Sequence, residues 1–184
     1  MCLERQVIEY CSPTLAGLKT GSLFNCRYES DRELAEAVED LNLTLNKKDV
    51  YFQIMRKSKG RALIYVYRSK KLEEALTAKD TEELLAAMGY VGCKAFEAIE
   101  KLRQNFMCNK DFPHEIGVFL GYPPGDVMGF IKNKGKNAKF TGCWKVYSNV
   151  EDAKRQFGKF KKCRDTYVKL RETGRDIEKL TVCA

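Results

Sequence analysis

The single histidine of the chain, His114, is the side chain best suited to acid–base chemistry, because an unperturbed imidazole titrates near neutral pH. It lies in the segment FPHEIGVFLGYPPGDVMGF, residues 112–130. The apolar run EIGVFLG predicts a buried strand, in which neighbouring residues point to opposite faces, so His114 and Glu115 would not form a dyad. We therefore predict a general-base role for His114 if folding brings a partner to it. The alternative is a structural histidine at the start of the strand.

A second candidate for chemistry is the segment CSPTLAGLKTG, which begins at Cys11. If Cys11 stands at the N-terminus of a helix, the helix dipole would lower the thiol pKa and make the sulfur nucleophilic. Side chains of Ser12, Thr14 and Lys19 would then hold a phosphate or a carboxylate. A loop that closes one end of the core is the alternative, since a buried cysteine is usually inert. A catalytic Cys11–His114 pair requires the fold to bring the two residues together.

The Gly121–Asp126 loop, GYPPGD, follows the predicted strand and leads into a predicted helix. Pro123 or Pro124 suits the first turn of that helix, where a missing N–H costs nothing. Backbone amides and the dipole at a helix N-terminus favour an anion. Tyr122 and Asp126 are therefore candidate ligand-binding residues.

A basic loop precedes an aromatic strand in the segment NKGKNAKFTGCWKVY. Lys134 and Trp144 would neutralise and stack on a nucleotide or a nucleic acid in the functional interpretation. The alternative is a solvated connection whose lysines protect an edge strand. No standard nucleotide-binding motif or nucleic-acid-binding module is visible, so nucleic acid ranks last among the partners.

Composition restricts the class of protein. With 184 residues, 44% of them hydrophobic, the chain suits one domain that spans residues 1–184 and buries a core. No run of about 18 apolar residues predicts a membrane span, and the N-terminus MCLERQVIEYC is too polar for a signal peptide. We therefore expect a cytoplasmic protein without membrane association.

The eight cysteines, at positions 2, 11, 26, 93, 108, 143, 163 and 183, show no close spacing of the kind that zinc sites use. No metal ligand set and no cofactor is predicted from them. Most are expected to be reduced thiols that act as small core residues. The alternative is a thiol cluster assembled in space from Cys26, Cys143 and Cys163, for metal or redox work.

The formal net charge of +8 is concentrated in residues 132–171, which hold thirteen Lys or Arg against three acidic residues. A basic face attracts phosphorylated ligands, nucleic acid or an acidic protein. A solvated helix face is the alternative.

The elements that would position these residues follow from periodicity and capping. Ser30 with Glu33 predicts the start of a helix, and residues 50–56 and 62–68 predict a hairpin whose second strand is central. A helix over residues 93–106 would turn Phe96 inward, residues 139–147 predict a strand, and Asn149 caps a long helix to Arg171. The fold class is α+β, with a mixed α/β arrangement as the alternative, and a central sheet of four or five strands is covered by helices.

The segments CSPTLAGLKTGSLF, FPHEIGVFLGYPPGDVMGFIKNKGKN and GCWKVY together resemble a family of small proteins from anaerobic Firmicutes, chiefly clostridia, known only as a domain of unknown function. The resemblance covers about residues 10–182. It carries no established catalytic residue, and it implies a genomic association with flavodoxins or iron-uptake components. A basic surface would suit docking to an acidic flavodoxin.

Two functional hypotheses follow. The first is a small-molecule or anion-binding protein, or a small enzyme, with a site near the Cys11–Lys19 segment, His114 and the Gly121–Asp126 loop. It predicts that these three converge on one pocket. The second is a redox or metal-linked partner protein that docks an acidic electron carrier such as flavodoxin through its basic face.

Overall fold

The computed structural model describes residues 3–108 and 112–183. These residues form an α+β fold, as predicted, in which helices predominate over strands. The helices are α1 (Leu3–Leu15), α2 (Asp31–Leu45), α3 (Ser69–Thr77), α4 (Lys79–Ala87), α5 (Ala95–Cys108), α6 (Ile116–Phe119), α7 (Pro124–Lys132), α8 (Val150–Glu172) and α9 (Ile177–Leu180). The strands are β1 (Gly21–Arg27), β2 (Tyr51–Ser58), β3 (Arg61–Tyr67), β4 (Phe140–Thr141) and β5 (Lys145–Val146).

The main sheet is antiparallel and has the strand order β1–β3–β2. The predicted hairpin is confirmed, and its second strand is central and buried on both faces. The predicted count of four or five strands is wrong, because this sheet has three. Residues 139–147 do not extend as one strand: a tight turn, closed by the bond from Gly142 N–H to the Trp144 carbonyl at 3.0 Å, folds them into the separate β4–β5 hairpin.

The predicted strand over EIGVFLG is also wrong, because the segment contains helix α6. All four residues of α6 are buried, so the helix is apolar on every side. A short apolar run of this kind does not distinguish a buried strand from a buried helix. Gly117 lets α6 approach α7 closely, since a Cβ at this position would lie 2.7 Å from Val127 Cγ2.

Helix starts agree with the sequence prediction where a capping side chain marks them. Ser30 Oγ accepts a hydrogen bond from Glu33 N–H at 3.4 Å, and Asn149 Oδ1 accepts one from Asp152 N–H at 3.1 Å. Pro124 occupies the first position of α7. Within the two described ranges, no helix combines the length and the apolar character needed to cross a bilayer.

The inward orientation predicted for Phe96 is wrong, since 74% of this residue is exposed. The buried stripe of α5 runs through Ala95, Ala98, Ile99, Leu102 and Phe106. Phe96 lies outside that stripe.

Two hydrophobic clusters pack on the two sides of the main sheet. Cluster 1 joins α1, α2, α8 and α9 to Ala62, Ile64 and Val66 of β3. Cluster 2 joins the helices α3, α4, α5, α6 and α7 to Leu63 and Tyr65 of the same strand. Alternation along β3 thus assigns successive side chains to different clusters.

Arg68, directly after β3, is 1% exposed and connects three distant parts of the chain. Its guanidinium donates to the carbonyls of Thr14 at 2.7 Å and Leu15 at 2.6 Å, at the end of α1. It also donates to the carbonyls of Lys48 at 3.2 Å and Val182 at 2.7 Å. The C-terminal end of a helix favours a cation, so α1 ends on this buried charge.

Candidate functional site

An aromatic cleft of about 260 Å³ lies between α7, the residues that precede α6, and the β4–β5 hairpin. Its lining includes five aromatic or imidazole rings and one lysine: Phe112, His114, Tyr122, Phe130, Trp144 and Lys145. We call this cavity the aromatic cleft. It brings together rings from three separate segments of the sequence.

The rings contact each other in pairs. Tyr122 and Trp144 are stacked, with centroids 4.8 Å apart and planes inclined by 26°. His114 meets Phe130 edge-on, at 5.1 Å between centroids. Trp144 is supported from α8 by an edge contact with Phe157 at 4.5 Å. Such packing limits the rotation of the rings, so the cleft is largely preformed.

Asp126 fixes the hairpin to α7. This carboxylate is 2% exposed and accepts a bond from Trp144 Nε1–H at 2.7 Å. It also accepts bonds from Tyr147 N–H and Ser148 N–H, each at 2.8 Å, and from the Ser148 hydroxyl at 2.7 Å. These bonds orient the indole and hold the end of the hairpin.

The pKa of Asp126 reflects two opposing effects. Burial raises it, but the hydrogen bonds from Ser148, Tyr147 and Trp144 together stabilise the carboxylate more strongly, and the pKa falls below its ordinary value. Asp126 is therefore ionised at neutral pH. Because its oxygens already accept hydrogen bonds from four protein donors, Asp126 holds the wall of the cleft in place.

Lys145, the lysine in the lining of the aromatic cleft, is held by a hydrogen bond to the turn after α7. Lys145 Nζ donates to the Gly135 carbonyl at 2.6 Å and lies 5.8 Å from the centroid of Phe130. Gly135 adopts a positive φ of 71° after α7, which a larger residue would adopt only with strain. The turn thereby presents its carbonyl to the lysine and keeps the ammonium at the cleft.

A second cavity, of about 460 Å³, lies beside the first and is lined by residues of α1, α8 and the β4–β5 hairpin. We call it the Lys19 cavity. Cys143 lines both cavities. Lys19 Nζ lies 5.3 Å from the centroid of Tyr122, whose ring lines the aromatic cleft. Tyr122 and Cys143 thus separate the two cavities.

Four of the candidate residues from the sequence share the aromatic cleft: His114, Tyr122, Asp126 and Trp144. Lys19 lines the neighbouring cavity. Of the three segments predicted to converge on a single pocket, the Gly121–Asp126 loop and His114 share the aromatic cleft, and the Cys11–Lys19 segment contributes to the adjacent cavity.

The predicted position of Cys11 at a helix N-terminus is wrong. Helix α1 begins at Leu3, so Cys11 lies in its third turn, where it is fully buried. Burial raises the pKa of the Cys11 thiol to about 12, with smaller opposite effects from the Lys19 charge and the Ser22 hydroxyl. The thiol is thus protonated and packed in cluster 1, which argues against nucleophilic chemistry and against a pair with His114.

The hydroxyl groups of Ser12 and Thr14, close to Cys11 in the sequence, form hydrogen bonds inside the protein. Ser12 Oγ donates to the Ile8 carbonyl within α1, and Thr14 Oγ1 contacts Ser22 Oγ at 2.9 Å. Ser12 and Thr14 are fully buried, and neither residue lines the aromatic cleft or the Lys19 cavity. Lys134 is exposed in the turn after α7 with a φ of 50°, outside the lining of the aromatic cleft.

The thiols that the redox hypothesis would cluster lie on different elements. Cys26 is buried in β1, Cys163 is half-buried on α8 and Cys143 is exposed in the β4–β5 hairpin. Within residues 3–108 and 112–183, no group of three or more His, Cys, Asp or Glu side chains is arranged to hold a metal ion.

Sequence reasoning missed Phe112, Phe130 and Lys145 as parts of the site. The available signal was that both phenylalanines bracket the segment that contains His114. Their convergence depends on α6, since a helical turn reverses the chain where a strand would have separated Phe112 from Phe130.

The comparisons with known proteins identify a family. The family model described as "Protein of unknown function (DUF3793)" matches residues 7–181. No curated protein and no solved structure matches the chain. The resemblance to a domain of unknown function is therefore confirmed, and membership of the family assigns no activity to the cleft.

Proposed function

The chain belongs to the DUF3793 family of proteins of unknown function, and we propose that it binds a small, flat, anionic molecule in the aromatic cleft. The observation that carries this proposal is the convergence of five aromatic or imidazole rings on one cavity of about 260 Å³. Ligand sites are typically concave, mostly apolar and equipped with a few polar groups that fix orientation.

A flat ligand is favoured by the chemistry of the lining. Tyr122, Trp144 and Phe130 offer ring surfaces, on which a planar heterocycle stacks regardless of its substituents. The volume suits a single ring system of the size of a nucleobase.

An anionic ligand is favoured by the charges at the cleft. The carboxylate in the lining, Asp126, is already bound by four protein donors. Lys145 and the imidazole of His114 remain at the cavity as donors to an incoming group. The net charge of +8 attracts anions to the surface and would raise their association rate.

Binding explains the lining better than covalent catalysis does. Cys143 is the thiol that lines the aromatic cleft, and although the residue is exposed, partial desolvation of its sulfur raises the thiol pKa against the smaller opposite effects of Lys19 and Arg164. A protonated thiol is a poor nucleophile at neutral pH. His114 is the acid–base group of the cleft and would act on a bound ligand only as a proton acceptor or donor.

The test uses Trp144, the one tryptophan of the chain, as the reporter. Titration with AMP should quench its fluorescence saturably, while adenosine and inorganic phosphate bind more weakly. Phe130→Ala should weaken AMP binding by about tenfold, because one stacking surface is lost. The matched control is Phe96→Ala, which removes an exposed phenylalanine of α5 outside the cleft. The proposal is abandoned if AMP gives no saturable quenching, or if Phe130→Ala and Phe96→Ala bind AMP alike.

A second candidate function is docking of an acidic protein on the outer face of α8. This face exposes Lys154, Lys159 and Lys162, on successive turns of a helix of 23 residues. Changing all three to glutamate should abolish low-salt retention of the chain on an immobilised flavodoxin, since surface charge dominates such encounters. The same change at Lys70, Lys79 and Lys94, away from α8, should have a much smaller effect. Equal losses in both variants would leave only non-specific charge attraction.

A further inference from the structure

We infer that Lys19 is a nucleophilic amine that forms an imine with an aldehyde or ketone bearing an anionic group, bound in the Lys19 cavity. This inference concerns a different cavity from the aromatic cleft and does not require a ligand there. It rests on the position of the amine, on its surroundings and on the two cations that line the same cavity.

The backbone at Lys19 is fixed by the turn that ends α1. The amides of Leu18 and Lys19 both donate to the Pro13 carbonyl, at 2.8 and 3.1 Å. Gly17 adopts a φ of 71°, which favours glycine. The turn therefore directs the lysine from the end of α1 towards the cavity between α1, α8 and the β4–β5 hairpin.

The amine of Lys19 lies in surroundings that disfavour a charge. In the described part of the chain, no salt bridge and no hydrogen bond holds its Nζ, which instead lies 5.3 Å from the centroid of Tyr122. The side chain is half-buried. Burial lowers the pKa of Lys19 to about 8, against the smaller opposing effects of Cys11 and Cys143. About one amine in ten is then neutral at pH 7, far more than for an ordinary lysine.

Two cations stand at the same cavity. Lys161 and Arg164 are three residues apart on α8, so they lie on one face of the helix, and both line the cavity. Glu9 of α1 is the carboxylate in the lining. A phosphate or carboxylate of a ligand would pair with Lys161 and Arg164, because a guanidinium suits bidentate recognition of such groups.

The reaction that follows is balanced without any oxidant. The neutral amine of Lys19 adds to the carbonyl carbon, and a C–N bond forms as the C=O π bond breaks. The nitrogen gives up both its protons, and the former carbonyl oxygen leaves with them as water. The product is a C=N bond to Lys19, which is the chemistry that desolvated lysines perform with carbonyl compounds.

The experiment uses pyridoxal 5′-phosphate as a probe, because it combines an aldehyde, a ring and a phosphate. The intact protein is reacted briefly with limiting probe at pH 7, reduced with borohydride and mapped by peptide mass spectrometry. Lys19 should be labelled about tenfold faster than an exposed lysine such as Lys134, because its neutral fraction is larger. Its rate should increase with pH up to about 8 and then level off.

Three variants separate imine formation from general reactivity. Lys19→Arg keeps the charge and should remove the fast label, while Lys134→Arg should leave it unchanged. Arg164→Met should slow labelling by the phosphate probe but not by pyridoxal, which lacks the phosphate. Labelling of Lys19 at the rate of Lys134 in the unmodified chain overturns the inference, whether or not any variant folds. AMP binding in the aromatic cleft should persist in Lys19→Arg, so the two proposals fail independently.

Discussion

Replacing Arg68 with methionine should lower the free energy of unfolding by about 3–5 kcal/mol, because the substitution removes a buried charge that four carbonyls share. Methionine keeps an apolar stem of similar length, so little packing is lost. The carbonyls of Thr14, Leu15, Lys48 and Val182 would each lose a donor. The carbonyls of Thr14 and Leu15 keep their bonds from Gly17 N–H and Val182 N–H, whereas a buried acceptor that loses its partner costs about 1 kcal/mol or more. Urea unfolding followed by far-UV circular dichroism measures the change.

The matched control is Arg61→Met, because Arg61 is an exposed arginine of the neighbouring strand β3. Its effect should be within about 0.5 kcal/mol, as for most surface changes. Arg68→Lys should be intermediate, since an ammonium keeps the charge but cannot reach carbonyls in four directions. Equal stability of Arg68→Met and Arg61→Met would show that the buried guanidinium does not hold the three segments together.

Asp126→Asn should destabilise the attachment of the β4–β5 hairpin by about 2–3 kcal/mol, because bonds to a charged acceptor are replaced by weaker ones. An amide also presents an N–H₂ group to donors such as Trp144 Nε1–H, with which it cannot bond. The fluorescence emission of Trp144 should shift to longer wavelength as its indole becomes more exposed to solvent. Asp40→Asn, at an exposed position of α2, is the control and should leave the emission unchanged.

The contribution of Asp126 also has a definite dependence on pH. Its pKa in the folded chain is lower than that of an unfolded aspartate, about 4. The carboxylate therefore stabilises the fold fully above pH of about 4, and this stability is lost as pH falls through the folded-state pKa. Between pH 6 and 3 the original chain should lose more stability than Asp126→Asn does. Identical pH profiles would mean that Asp126 titrates normally.

Local signals in the sequence predict the elements that they control. Capping residues and a period of 3.6 locate α2 and α8, and β-branched and aromatic residues locate the β2–β3 hairpin. The errors fall where long-range packing decides. The segment EIGVFLG is compatible with a strand or a buried helix, and only its neighbours in cluster 2 select α6. Pro13 lies inside α1, although proline usually ends a helix, so the sequence does not indicate that α1 continues past it.

The candidate site is predicted by residue type better than by arrangement. His114, Tyr122, Asp126 and Trp144 are separate candidates in the sequence, and the fold places them around one cavity. Cys11 is a candidate by its reactivity in principle, yet burial removes that reactivity. No spacing in the sequence indicates which segments share a cavity, since their meeting depends on α6 and on the turn inside the β4–β5 hairpin.

The division of the core into two clusters has a consequence for folding during synthesis. The buried members of cluster 2 lie between Met55 and Val127, so they emerge from the ribosome as one continuous stretch. Cluster 1 needs Tyr167, Ile177 and Leu180 in addition to its members between Leu3 and Val66. We therefore expect cluster 2 to pack before cluster 1 is complete, because the side of α1 that contacts α8 and α9 waits for those two helices to be translated. The nascent chain would expose this apolar side of α1 over the period in which residues 128–180 are made.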